Sequence, residues 1–230
     1  MVFGGFQKLT LLDFPGKVAC ILFTKGCNFR CPFCHNAALV EVDGKEQNIE
    51  EEEVLAFLKK RQGILEGVCI TGGEPLLQVG LEDFLKKVKD LGYAIKLDTN
   101  GSFPQKLKDL AKKGLVDYVA MDIKNTKEKY AQTAGCDCDV EAVEESIDFL
   151  LHNHIDYEFR TTVVAEFHTP QDIGGIAKRI EGAPQYFLQN FVDSGHILEE
   201  NLHPVEENDL VLMEIAAQKF VKTAKIRGKE

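Results

Sequence analysis

The sequence predicts a parallel α/β fold. Three observations carry the expectation: short β-branched and aromatic runs recur along the chain, longer stretches with apolar residues three or four apart lie between them, and the two kinds alternate. About six such βα units suggest a barrel-like sheet, and periodicity does not fix whether it closes.

Taken in order, the strand-like runs are VACILFT (18–24), GVCITG (67–72), YAIKLDT (93–99), DYVAMDI (117–123), YEFRTTVV (157–164) and QYFLQNF (185–191). The helical stretches are NIEEEEVLAFLKKRQGIL, GLEDFLKKVKDLG, SFPQKLKDLAKKG, DVEAVEESIDFLLHNH and TPQDIGGIAKRIEG, each with charges on the face opposite its apolar residues. The ending EENDLVLMEIAAQKFVKTAKIRGKE reads as one more helix followed by a short basic tail. With no repeat, low-complexity tract or proline-rich linker, residues 1–230 are expected to form one domain. Residues 195–230 then form a helical extension packed on the barrel.

Composition narrows the function. The 230 residues are 44% hydrophobic and 28% charged, ordinary values for a folded globular chain. The net charge of -10 argues against a broad phosphate-contacting surface, so nucleic acid is not an expected partner. No run reaches the roughly 18 apolar residues of a membrane helix, and the first segment lacks the pattern of a secretory signal. A cytoplasmic protein without membrane contact is expected. In a reducing compartment its seven cysteines point to metal or redox chemistry rather than disulfides.

In parallel α/β folds the chemistry gathers at the carboxyl ends of the strands. After the first expected strand comes KGCNFRCPFCHN, with Cys27, Cys31 and Cys34 spaced C-x3-C-x2-C. Such a loop can bind three irons of a [4Fe-4S] cube and leave the fourth open to a ligand. It could instead form a Cys3His zinc knot with His35, although adjacent Cys34 and His35 close a tetrahedron poorly. TGGEP (71–75) offers glycines that let a ligand approach the backbone, beside the carboxylate of Glu74; its plainer reading is a βα turn with Glu74 at a helix start. LDTNG carries Asp98 and Asn100, and MDIK carries Asp122 and Lys124. Each reads alone as a strand-end turn or a solvated pair.

Together LLDFPGKVACILFTKGCNFRCPFCHN, TGGEP, LDTNG and MDIK resemble the radical S-adenosylmethionine (SAM) superfamily, specifically the activating enzymes of glycyl radical enzymes. The full-length organisation, including the KIRG near the end, is most similar to activating proteins of anaerobic ribonucleoside-triphosphate reductase. The resemblance implies a partial (β/α)6 barrel of the radical SAM type. It implies one [4Fe-4S] cluster on Cys27, Cys31 and Cys34, with SAM chelating the open iron. Phe33 to His35 would flank the adenine, Gly72, Gly73, Glu74 and Pro75 would hold the methionyl amino group, and Lys124 would face the carboxylate. Asp98, Thr99 and Asp122 resemble ligands of a monovalent cation beside SAM. Asp13 resembles a position near the partner's glycine loop. Where relatives place a ribose-contacting histidine, this chain has Gln189 and Asn190.

The implied reaction is reductive cleavage of SAM and removal of a hydrogen from a glycine of a partner enzyme, with a flavodoxin- or ferredoxin-type electron donor. The alternatives are an activase of pyruvate formate-lyase or another glycyl radical enzyme, a small-molecule radical SAM enzyme, and, from a different class, a zinc-stabilised binding module. Cys20 and Cys69 read as core residues. Cys136 and Cys138 fall in an expected loop, and His152, His154, His168, His196 and His203 read as surface residues.

Overall fold

The computed structural model describes residues 1–40, 48–193, 195 and 197–228. It contains two compact units, one of Met1–Asn28, Ala38–Thr99 and Gln105–Val119, the other of Phe29–Ala37, Asn100–Pro104 and Ala120–Glu230.

The first unit is built on β1 (Val2–Thr10), β2 (Ala19–Thr24), β3 (Ile49–Glu50), β4 (Gly67–Gly72) and β5 (Ala94–Thr99), in the order β3-β1-β2-β4-β5. Strands β2, β4 and β5 are parallel, whereas β1 is antiparallel to β2 and β3. The parallel strands are buried along most of their length, which is why they read as apolar runs. Between the strands run α1 (Ala37–Val40), α2 (Glu51–Arg61), α3 (Leu81–Asp90) and α4 (Pro104–Lys112). Helix α3 turns Leu81, Phe84, Leu85 and Val88 into the core. Cys20 and Cys69 are core residues as expected, and burial pushes the Cys20 thiol up to about 12.

Strand β6 (Tyr118–Asp122) begins in the first unit and ends in the second. The second unit continues with α5 (Tyr130–Ala134), α6 (Val140–His152), β7 (Asp156–Val163), α7 (Pro170–Arg179), β8 (Tyr186–Asn190), α8 (Glu207–Ala217) and β9 (Ala224–Arg227). Strands β7, β8 and β9 are parallel neighbours. Helix α7 starts at a capping box in which Thr169 and Asp172 satisfy each other's main-chain N–H groups, with Pro170 in the first turn.

Two expectations change. The tail after α8 is not merely basic: β9 extends the β7-β8 ladder, and Arg227 binds the buried Glu158 carboxylate at 2.9 Å while covering the Phe187 ring. His168, expected at the surface, is 3% exposed. His152, His154 and His203 are exposed, and His196 lies outside the described residues. Among the described residues no helix is long and apolar enough to cross a membrane.

Candidate active site

In the first unit, the chain leaving β2 toward Cys27 is stitched to the TGGEP turn after β4. The Thr24 hydroxyl donates to the Thr71 carbonyl at 3.0 Å, the Gly73 N–H to Thr24 at 2.9 Å and the Glu74 N–H to Gly26 at 2.9 Å. Gln78 closes the set by donating to the Lys25 carbonyl at 2.6 Å. A Cβ on Gly73 would stand 2.0 Å from the Gly26 carbonyl oxygen, so the approach of the two segments requires glycine. Gly72 has φ of 107°, a conformation that side chains disfavour.

Glu74 is fully buried, and its Oε1 accepts from the Leu76 N–H and from the Thr99 hydroxyl, both at 2.9 Å. It therefore caps the turn at Pro75–Leu77 and links β4 to the end of β5. Asp98 is ion-paired with the buried Lys96 two residues earlier. Asp13 is exposed between the β1–β2 turn residues, accepts from the Thr10 hydroxyl, and is preceded by Leu11 and Leu12 at 70% and 91% exposure.

In the second unit, Cys31 is buried and Cys34 half-buried, and the Cys34 N–H donates to the Cys31 carbonyl at 3.0 Å. The end of α5 grips this loop: the Arg30 N–H donates to Ala134 at 2.8 Å, and a Cβ on Gly135 would lie 2.0 Å from the Arg30 oxygen. Phe29 packs edge-on against Tyr130, whose fully buried hydroxyl has no hydrogen-bond partner among the described residues. The Pro32 carbonyl accepts from Leu198 and Glu199, both at 3.1 Å. Burial raises the Cys34 thiol, while the Asn36 main chain and the charge of Lys124 pull it down.

The aromatic residues after Cys31 are held individually. Phe33 packs on Phe167 and meets His168 edge-on, with centroids at 5.9 and 6.5 Å. His35 stacks on Phe191 at 5.7 Å, and burial followed by the Lys124 charge lowers its pKa. Asp122 binds Arg160 Nε at 2.9 Å and Lys124 Nζ at 3.2 Å. Burial alone would raise the Asp122 pKa; the charges of Arg160 and then Lys124 outweigh it and hold it at about 2. Burial likewise disfavours the Lys124 ammonium, and Asp122 outweighs that, so Lys124 stays protonated.

Asn100 closes its own turn by accepting from the Ser102 N–H and hydroxyl at 3.0 and 2.6 Å. Gln189 lies half-buried on β8 between Thr162 and Arg227 of the neighbouring strands. Its neighbour Asn190 is committed to the Val205 main chain by two bonds of 2.9 Å. Cys136 and Cys138 are free thiols in the turn after α5.

Sequence reading missed Lys96, Arg160, Tyr130 and His168. Two signals were available, since Lys96 and Arg160 are charges inside strand-like runs, where a buried charge needs a partner. Tyr130 and His168 carried none.

The donor chemistry fits an iron-sulfur cluster: Cys27, Cys31 and Cys34 are free thiols close together in the sequence, and three thiolates are the set that holds a [4Fe-4S] cube with one iron open. Comparison with known proteins agrees. Residues 21–180 match the Radical SAM superfamily. The chain is 32% identical over 231 residues to "Putative glycyl-radical enzyme activating enzyme MJ1227" of Methanocaldococcus jannaschii, covering 97% of this chain and 94% of that one. Among solved structures, a domain of pyruvate-formate lyase-activating enzyme from Bacteroides vulgatus aligns with TM-score 0.57 and 18% identity, over 71% of this chain and 99% of that one. Streptococcus suis SuiB bound to S-adenosylmethionine aligns with TM-score 0.65 and 12% identity, over 90% and 52%. The fold is thus the α/β partial barrel, mostly parallel and not closed, and the cofactors are a [4Fe-4S] cluster and SAM. The chain belongs to the radical SAM superfamily.

Proposed function

We propose that this radical SAM enzyme is a glycyl radical enzyme activase. The observation that carries the reading is the full-length likeness to a protein named for that activity. Cys27, Cys31 and Cys34 would hold the cluster, which would supply the one-electron reduction that splits SAM and so makes hydrogen removal from a partner's glycine possible.

The residues of this chain bind and orient. Gly72 to Pro75 receive the methionyl amino group, and Glu74 keeps that turn in shape through Leu76 and Thr99. Lys124, kept protonated by Asp122, faces the SAM carboxylate. Phe33 and His35 flank the adenine, and Gln189 is the ribose contact because Asn190 is spent on Val205. Asp13 and the exposed leucines before it receive the partner's backbone. No side-chain acid or base takes part.

Within this reading the partner is anaerobic ribonucleoside-triphosphate reductase, on the full-length organisation and the KIRG near the end, and a flavodoxin or ferredoxin supplies the electron. The test is anaerobic reconstitution with iron and sulfide, then reduction with SAM and an assay for 5'-deoxyadenosine, with Cys31→Ala as control. Adding the reductase should give a glycyl radical signal in electron paramagnetic resonance. SAM cleavage with that signal only on pyruvate formate-lyase would reassign the partner. Stoichiometric zinc and no cleavage would leave a zinc-stabilised binding module.

A further inference from the structure

Lys96 stands on a rung of β5 where a charge is out of place. In register, Lys96 pairs with Cys69, and Cys69 with Ile21. Ile21 and Cys69 belong to a buried cluster with Phe14, Ala19 and Tyr118. The lysine side chain is 2% exposed, and an ammonium so placed is costly unless paired. Its partner is Asp98, two residues along the same strand and so on the same face. Asp98 lies one step nearer the carboxyl end of β5, where the chemistry of a parallel sheet gathers.

We propose that Lys96 is a positioning residue whose ammonium supplies the positive charge at Asp98 when SAM is bound, in place of a dissociable monovalent cation. This rests on the placement of Asp98 beside bound SAM. The ammonium is tethered, so its presence at Asp98 does not depend on the salt in solution. A sodium or potassium ion on the same carboxylate would meet a like charge in surroundings of low dielectric. Lysine suits the role because its charge is compact and its stem is apolar, which lets the stem lie on the buried rung beside Cys69 while the head reaches the carboxylate. Asp98 is then oriented by the ammonium before SAM arrives.

The test measures SAM affinity by calorimetry on cluster-loaded protein, with sodium and potassium replaced by tetramethylammonium, which is too large for a carboxylate-lined ion site. Wild type should bind SAM equally, within about twofold, in all three salts. Lys96→Met should bind about tenfold more weakly in tetramethylammonium, the scale of one charge-assisted contact, and recover when potassium or sodium is added. Lys96→Arg should remain indifferent to the salt.

Wild type losing affinity on removal of small cations would overturn the proposal, and that arm needs no variant to fold. It would also fall if Lys96→Met kept full affinity in tetramethylammonium, or lost affinity that no small cation restored, since the lysine would then serve packing alone. Loaded wild type that bound no SAM in any salt would sink the pocket assignment itself, an outcome distinct from a salt-dependent wild type.

Discussion

His168 Nε2 lies 2.8 Å from the main-chain oxygen of Lys124, while the Val164 N–H points at His168 Nδ1 from 3.1 Å. The pair of contacts sets the tautomer: Nδ1 accepts, so Nε2 carries the proton and donates. One buried ring therefore ties the turn after β7 to the segment after β6 that presents Lys124, and its edge meets Phe33. Burial holds the His168 pKa below its usual 6.5, although its contacts with Lys124 and Val164 act in the opposite direction.

The sign of the pH effect follows. A histidine with a depressed folded pKa contributes stability that is fully present above 6.5 and is lost as pH falls through the folded value, because the unfolded chain takes the proton first. Urea midpoints of the wild type should fall between pH 8 and pH 5, and His168→Gln should flatten that slope while costing about 1 to 3 kcal/mol at pH 8. An unchanged slope in the variant would assign the pH dependence elsewhere. Weaker SAM binding in His168→Gln would show that Lys124 relies on the ring.

Asp122 gives the complementary case among carboxylates. Its folded pKa of about 2, against the usual 3.8, means that its contribution is present above 3.8 and lost as pH falls toward 2. Replacing Arg160 with Met removes the larger of the two stabilising charges, so the onset of acid unfolding, followed by circular dichroism, should move to higher pH. If the onset stays where it is in the wild type, Lys124 alone suffices to hold the carboxylate.

The chain should hold one cube only. Cys136 and Cys138 follow the α5 turn that grips Arg30, yet neither belongs to the C-x3-C-x2-C loop. A Cys136→Ser, Cys138→Ser double variant should load about four irons per chain, like the wild type, and Cys31→Ala should load almost none. Iron and acid-labile sulfide analysis after reconstitution distinguishes these outcomes, and a loss of half the iron in the double variant would reveal a second centre.

What could be read from the sequence divides along a physical line. Strands β2, β4, β5, β6, β7 and β8 announce themselves because buried parallel strands are almost continuously apolar. Strand β1 does not, since FGGFQKLT carries two glycines and polar residues and is antiparallel to its neighbours. Strand β9 does not, because AKIR reads as a basic tail until Arg227 meets Glu158, 69 positions away in the chain. The site divides the same way. The cysteine loop, TGGEP and LDTNG are local spacings, whereas Arg160 meets Asp122 across 38 positions and His168 meets Lys124 across 44. Pairings at such separations leave no periodicity to detect.

Gly73→Ala tests whether the TGGEP turn shapes the cluster loop itself. The new methyl would stand 2.0 Å from the Gly26 oxygen, next to Cys27, and that neighbour is main chain that cannot swing aside. Either the turn or the cysteine loop must move, and the Glu74 N–H bond to Gly26 is strained in both cases. The expected result is reduced iron loading together with weaker SAM binding in whatever fraction loads. Gly174→Ala is the control: it lies inside α7, where a Cβ would meet the Ala216 Cβ at 3.8 Å, so the added methyl fits and favours the helix by up to about 1 kcal/mol. Normal loading in Gly73→Ala, with thermal stability equal to that of the control, would mean that the two segments part without cost and that the turn serves SAM alone.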